Sequence, residues 1–242
     1  MKMKVYSIFD SVNGEIGLMP QGHPTTFLRL HGCNLRCTYC DTKDAVIGNF
    51  YKEMDVDEVY AKIKRSRFNH ILITGGEPLL QHEELNTLVA KLRAGTGRTI
   101  TVETNGTIQK PLMVDCYVID IKTQDQLKTK TFREMEWPRF HVQKMPWAQF
   151  VYKGVVTCKE DIDRAIDEIV EMKHKYREFS YILDPIYALS PVIPTVTNSV
   201  SHGLCNEIFE AICMSGYTDI CMNLQIHKYL FPLGEKGDTH EQ

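Results

Sequence analysis

Thr26-Phe27-Leu28-Arg29-Leu30-His31-Gly32-Cys33-Asn34-Leu35-Arg36-Cys37-Thr38-Tyr39-Cys40-Asp41-Thr42 is the stretch that decides the fold. Thr26–Leu30 is a short apolar and β-branched run, which reads as a strand. It ends at a glycine that opens a loop holding three cysteines spaced C-x3-C-x2-C. The same plan, a strand and then a polar motif, recurs along the chain. His70–Thr74 precedes Gly75-Gly76-Glu77-Pro78, Thr99–Glu103 runs into Thr104-Asn105-Gly106-Thr107, and Tyr117–Ile121 runs into Lys122. Gln149–Val156 is a further strand, Tyr181–Leu183 leads to Asp184-Pro185, and Ile220–Gln225 leads to His227; Lys4–Phe9 is the first strand of the set.

Helical spacing separates many of these strands. Leu85, Leu88, Val89 and Leu92 share one face, as do Ile162, Ala165, Ile166, Ile169 and Val170. Val56–Ile63 follows a capping pair, Asp55 with Glu58, and Thr157 with Glu160 forms another. Leu204, Ile208, Ala211 and Ile212 mark a last helix that stops near Gly216. Strands alternating with helices imply crossovers between parallel strands, hence an α/β sheet or barrel. In such folds reactive groups gather at the carboxyl ends of strands, where the motifs stand here. The pattern points to an enzyme. Residues 1–234 read as a single domain, with an aperiodic excursion over about 123–147 and a polar tail over 235–242.

The composition narrows the class further. Among 242 residues, 28 basic against 31 acidic side chains give a net charge of −3, which argues against an extended phosphate-binding surface. The longest uncharged run, Pro185–Asn206, is broken by prolines and rich in Ser, Thr and Asn, so no membrane span is expected. The start lacks a signal-peptide core, and the expectation is a cytoplasmic, globular chain. Eight cysteines are too few for a disulfide scaffold. Cys116, Cys158, Cys205, Cys213 and Cys221 are solitary among apolar neighbours and read as small hydrophobes.

Cys33, Cys37 and Cys40 need another account. Thiolates are soft ligands suited to an iron–sulfur cluster or zinc. Structural zinc takes four closed ligands, and the sequence offers no second C-x2-C or H-x3-H pair, although His31 is a possible fourth. Three ligands leave one corner open, as a catalytic site requires.

The cysteine loop resembles that of the radical S-adenosylmethionine superfamily, and Gly75-Gly76-Glu77-Pro78 is similar to that superfamily's methionine-binding motif. Within it the chain resembles the 7-carboxy-7-deazaguanine synthase family. Ile8-Phe9 followed by Asn13-Gly14-Glu15 and Gly17, then Phe27-Leu28-Arg29-Leu30, Asp41-Thr42, Val102-Glu103-Thr104-Asn105-Gly106-Thr107 and Gln225-Ile226-His227-Lys228-Tyr229-Leu230, carry that likeness from residue 8 to residue 230. Asn13 stands where the family usually has Gln, Ile16 adds a residue, and Asp120-Ile121-Lys122 and Asp184 depart from S-P-K and L-Q-P.

The resemblance implies an incomplete TIM-type barrel with a 4Fe–4S cluster on Cys33, Cys37 and Cys40 and S-adenosylmethionine on its fourth iron. One-electron reduction would release a radical that takes hydrogen from substrate. Cofactor contacts are implied for Tyr39, Asp41, Gly75, Gly76 and Glu77, and for Glu103, Asp120, Lys122 and Asp184. Thr42 is implied as a magnesium ligand. The implied substrate is 6-carboxy-5,6,7,8-tetrahydropterin, bound by Val12, Asn13, Gly14, Glu15 and Arg29, with Thr74 and His227. A flavodoxin- or ferredoxin-type reductant and a homodimer are also expected, with no nucleic-acid or membrane partner.

Arg29 carries a signal of its own. It lies in an apolar strand, and a buried guanidinium needs an anion, either an internal carboxylate or a ligand's. Two other functions stay open at this point. One is an activase that makes a glycyl radical on a protein partner, of which Asp120-Ile121-Lys122 is reminiscent. The other is a zinc-stabilised interaction module. A deaminase-type nucleic-acid enzyme is disfavoured, because no H-x-E precedes a P-C-x2-C here.

Overall fold

The first strand, β1 (Lys2–Val12), runs antiparallel to β2 (Pro24–Leu30), and a short strand not expected from the sequence, β3 (Lys52–Asp55), pairs antiparallel with the other side of β1. This computed structural model describes residues 1–122, 136–177, 185–192 and 201–226. From β2 onward every pairing is parallel, through β4 (His70–Gly75), β5 (Thr99–Thr104), β6 (Cys116–Ile121), β7 (Gln149–Val156), β8 (Ile186–Pro191) and β9 (Ile220–Met222). The strand order is β3-β1-β2-β4-β5-β6-β7-β8-β9 in one nine-stranded sheet. Among the described residues its two edge strands do not pair, so the sheet is an open, incomplete barrel, with its first two sequence-adjacent strands antiparallel.

Five longer helices accompany a short one, α1 (Lys43–Ile47): α2 (Val56–Arg65), α3 (His82–Thr96), α4 (Trp137–Lys144), α5 (Lys159–Lys175) and α6 (His202–Ser215). Most of each apolar stripe read from the sequence is buried, while Ile166 and Val170 of α5 and Ala211 and Ile212 of α6 are half-buried. Val56, Val59 and Ile63 of α2, Leu85, Leu88, Val89 and Leu92 of α3, and Ile162, Ala165 and Ile169 of α5 join one core with Leu28, Ile73, Val102, Ile119 and Tyr152 from the sheet. Each such aliphatic side chain contributes about 1.5–3 kcal/mol by leaving water.

Local stops and starts follow chemistry. Gly97 and Gly216 end α3 and α6 in the left-handed conformation. Ser201 caps α6 by accepting from the Leu204 amide. The cap of α5 differs from the expected pair: Thr157 donates from both its amide and its hydroxyl to Asp161, not to Glu160. Asp55 precedes α2 without a side-chain cap.

Part of the aperiodic stretch proves ordered. Pro138 lies in the first turn of α4, where a missing amide costs nothing. Trp137 is fully buried and donates Nε1–H to the Gly106 carbonyl at 2.8 Å, which pins α4 beneath the loop after β5. The uncharged run after Pro185 contributes β8. The expected strand Tyr181–Leu183, Asp184, His227 and the tail 235–242 lie outside the described residues.

Alternation along the strands sorts residues between two faces. Leu28, Ile73, Val102 and Ile119 turn to the helices. On the other face the register sets Arg29 beside Thr74, and Asp120 beside Lys153. Thr25, Thr101 and a small cluster of Cys116, Val118 and Val151 share that face lower down. The polar upper rows are what the site is built from.

Candidate active site

The carboxyl ends of β2, β4, β5, β6 and β7 enclose a cavity of about 260 Å³. Cys33, Cys37 and Cys40 line one wall, all three as free thiols. The loop that carries them is held from two directions. Gly76 and Glu77 donate their amides to the carbonyls of Leu30 and Gly32 at 3.0 and 2.8 Å. Asn105 Nδ2 donates to Asn34 Oδ1 at 2.9 Å and approaches Cys33 Sγ at 3.5 Å.

This contact explains the two glycines. Gly75 has φ +137°, a region L side chains rarely adopt, and a Cβ there would stand 2.1 Å from the Leu30 carbonyl oxygen. A Cβ on Gly76 would meet the Gly32 oxygen at 2.0 Å. The glycines let β4 run against the entrance of the cysteine loop, while both also face the cavity.

Glu77 takes a different place from the one expected. It is fully buried and is not part of the cavity wall; its carboxylate accepts from the amides of Leu79 and Asn105 and from the Thr104 hydroxyl. Burial pushes its carboxyl up to about 7 despite those donors. It therefore clamps the end of β4 to the end of β5.

Asn13 also turns inward. It is buried, and its Nδ2 donates to the carbonyls of Glu15 and Met19, both at 2.8 Å, closing the loop between β1 and β2. Val12 ends β1 away from the cavity, whereas Gly14 and Glu15 line it.

The opposite wall is a chain of alternating charges. Glu15 accepts from Asn223 Nδ2 at 2.8 Å and Gln225 Nε2 at 2.7 Å, and pairs with Lys153 Nζ at 3.0 Å. Lys153 reaches Asp120 Oδ1 at 3.5 Å, and the other Asp120 oxygen takes Lys122 Nζ at 2.6 Å. Burial alone would raise the Asp120 carboxyl, but the two ammonium groups outweigh it and hold it below the usual range. Lys122 sits over the Tyr39 ring at 5.6 Å, and burial moves the Tyr39 phenol up to about 12. Glu103 accepts from the Thr74 hydroxyl at 2.7 Å. Burial first, and then the charge of Glu15, push its carboxyl up to about 7.

Arg29 enters the same cavity from β2, with its guanidinium 5.3 Å from the Phe9 ring centroid. Its Nε is buried and has no hydrogen-bond partner. The internal carboxylate that a buried arginine would call for does not appear among the described residues. Thr42 and Asp41 border the cavity too, with Thr42 Oγ1 3.8 Å from Cys40 Sγ.

Lys153, Asn223 and Gln225 were not singled out from the sequence as site residues. Lys153 offered the signal that drew attention to Arg29, a lone cation within an apolar strand. Asn223 offered none, because only the fold brings it to Glu15.

The thiols fit an iron–sulfur cluster. Burial lifts Cys33 and Cys37 above the ordinary thiol value, so a bound metal, more than neighbouring charge, would hold them as thiolates. Among the described residues no three Cys, His, Asp or Glu side chains converge as a site for one metal ion. A cluster instead takes one thiolate at each of several irons. His31, the possible fourth zinc ligand, stacks on Tyr51 with centroids 4.6 Å apart and lies outside the cavity wall.

The Radical SAM superfamily model matches residues 28–116. A 7-carboxy-7-deazaguanine synthase of Thermoplasma acidophilum is 31% identical over 193 residues, covering 76% of this chain and 83% of the relative. The chain belongs to the 7-carboxy-7-deazaguanine synthase family. The family's Clostridium acetobutylicum member aligns over 98% of this chain and 100% of its own length at 28% identity. The Methanospirillum hungatei member is 45% identical over 106 residues, but there the alignment spans only 43% of the relative. The crystal structure of QueE from Escherichia coli superposes with a TM-score of 0.66 at 19% identity, covering 93% of this chain and 94% of that one, which bears on the fold. This is a radical S-adenosylmethionine enzyme, and a 4Fe–4S cluster and S-adenosylmethionine come with that superfamily. Membership sets aside both the activase and the zinc-module alternatives. No helix among the described residues is long and apolar enough to cross a membrane.

Proposed function

We propose that the chain converts 6-carboxy-5,6,7,8-tetrahydropterin to 7-carboxy-7-deazaguanine and ammonia, a step toward 7-deazapurines such as queuosine. The observation that carries the substrate is Arg29. A guanidinium with a buried, unpartnered Nε faces the cavity that the three cysteines line, and a substrate carboxylate supplies the missing acceptor. When bound on Cys33, Cys37 and Cys40, the cluster with S-adenosylmethionine supplies hydrogen-atom abstraction from substrate by one-electron cleavage of the sulfonium.

The chain's own residues bind and orient. Gly75, Gly76 and Tyr39 border the cysteine side of the cavity, where the cofactor would lie, with the Asp120–Lys122 pair beside it. Glu15 and Arg29 face the remaining space and would take the donor edge and the carboxylate of the pterin. The apolar side chains of Phe27, Leu35 and Val155, which also line the cavity, limit water. Thr42 would give magnesium one hydroxyl oxygen, with waters and substrate completing the shell. We also assign an external flavodoxin- or ferredoxin-type reductant and a homodimeric assembly.

An anaerobic incubation with the carboxytetrahydropterin, S-adenosylmethionine, reductant and magnesium tests the reading by mass spectrometry. Formation of 7-carboxy-7-deazaguanine is expected, weakened at limiting magnesium in Thr42→Val. Cleavage of S-adenosylmethionine without that product would reject the substrate.

A further inference from the structure

Lys153 bridges two carboxylates of the charged wall, Glu15 and Asp120. It lies in β7 with 6% of its surface exposed, a costly place for an ammonium unless it is paired. The strand register puts it beside Asp120. Its Nζ is 3.0 Å from Glu15 Oε2 and 3.5 Å from Asp120 Oδ1.

The groups facing Lys153 are Glu15 from the loop after β1, Glu103 from β5 and Asp120 from β6. Lys122 neutralises Asp120 from the far side. Asn223 and Gln225, after β9, add neutral donors to Glu15, and Arg29 shares the cavity from β2. Three carboxylates thus share Lys153 and Lys122. Three donors already reach Glu15, and a carboxylate has about four acceptor directions, so one direction remains for a ligand.

We propose that Lys153 is the positioning residue for substrate: shared between Glu15 and Asp120, it holds the Glu15 carboxylate so that its free acceptor direction meets an N–H edge of the heterocycle. This rests on the functional reading above and extends it to the ring of the substrate, the carboxylate being met by Arg29. Without Lys153, Glu15, Glu103 and Asp120 face one another with only Lys122 to offset them. Burial and the charge of Glu15 already raise the Glu103 carboxyl to about 7 with Lys153 present; without that ammonium the repulsion among the three grows, the cluster takes up its proton at higher pH, and Glu15 is no longer held in place for the ring.

The test is binding of the carboxytetrahydropterin to cluster-loaded, unreduced enzyme, where no turnover occurs, followed from pH 6 to 9. For Lys153→Met the affinity at pH 7 is expected to fall by roughly tenfold to a hundredfold, the loss of a charge-assisted contact. Its binding-against-pH curve should be displaced upward by about one unit or more relative to wild type. Lys153→Arg should restore most of both. A merely structural lysine would lower thermal stability and leave the pH curve in place. If Lys153→Met does not fold, Lys153→Met with Asp120→Asn removes one charge of each sign, and a displacement in the same direction but smaller is expected of that pair, since Glu15 and Glu103 still lack the ammonium between them. Superposition of the wild-type and variant curves overturns the assignment of Lys153 and leaves the functional reading standing. If the wild type binds no pterin at any pH, the functional reading falls and this assignment falls with it.

Discussion

Replacing Arg29 by Met separates binding from stability. In the folded chain the guanidinium has a buried Nε without an acceptor and rests over Phe9 at 5.3 Å. Met keeps the apolar volume of the stem while removing the fork. Losing the cation–π contact costs about 0.5–2 kcal/mol, and removing a stranded buried donor returns about 1–3 kcal/mol. The two nearly cancel, so stability should move by no more than about 1 kcal/mol, or roughly 2–4 °C in Tm for a chain of this size. Binding has no such offset. A charge-assisted hydrogen bond is worth about 1.5–3 kcal/mol, and the ligand carboxylate is left unpaired in addition. The affinity for the carboxytetrahydropterin should therefore fall by roughly tenfold to several hundredfold. Equilibrium binding to the cluster-loaded protein, beside a thermal melt of the same sample, measures both numbers. Unchanged affinity would show that Arg29 is not the carboxylate reader. A large loss of Tm would show that its guanidinium has an internal partner after all.

Alanine at Cys33, Cys37 or Cys40 should abolish S-adenosylmethionine cleavage and lower bound iron, whereas Cys213→Ala, at an exposed position, should keep the full iron content; retained cleavage in any of the three would reject the cluster site. Gly76→Ala should also lose iron, because its Cβ would stand 2.0 Å from the Gly32 oxygen and displace the loop; wild-type absorbance in that variant would refute the steric argument. His70, buried between the hydroxyls of Thr25 and Thr101, is lowered from 6.5 to about 4, chiefly by burial. As pH falls below 6.5 the unfolded chain takes a proton that folded His70 refuses until about 4, so its contribution of roughly 3 kcal/mol is present above that window and lost through it. In urea melts across pH 4 to 6.5, His70→Gln should flatten the fall in stability toward acid by about one proton's worth; identical slopes would sink the assignment.

Much of the fold was legible because the strands end in chemistry. The runs ahead of Cys33, Gly75, Thr104 and Lys122 are four of the five strands that border the cavity, and Gln149–Val156 is the fifth. β8 was missed, since Ile186–Pro191 is nearly all buried and a parallel strand covered on both faces shows no alternation. α4 was missed although Trp137-Pro138 is a helix-start signal, because the charged residues around it blur the period. Within the site, residue type located the motif and left the direction of each side chain open. Asn13 and Glu77 stand in the right segments, yet Asn13 spends its polar atoms on its own loop and Glu77 spends most of its on the end of β5. The glycines of the Gly75-Gly76 pair are needed for a neighbour, the Leu30–Gly32 backbone, that only the tertiary fold supplies.

The two walls of the cavity also differ in how far apart in the chain their contacts lie. Glu77 and Asn105, which steady the cysteine loop, are 28 residues apart. Glu15 and Asn223, which build the opposite wall, are 208 apart. Closing the longer loop costs more chain entropy and waits for the intervening strands to pair. On chain entropy alone, the contacts that steady the cofactor cradle close at lower cost than those that build the substrate wall, so the substrate wall draws more of its order from the completed sheet.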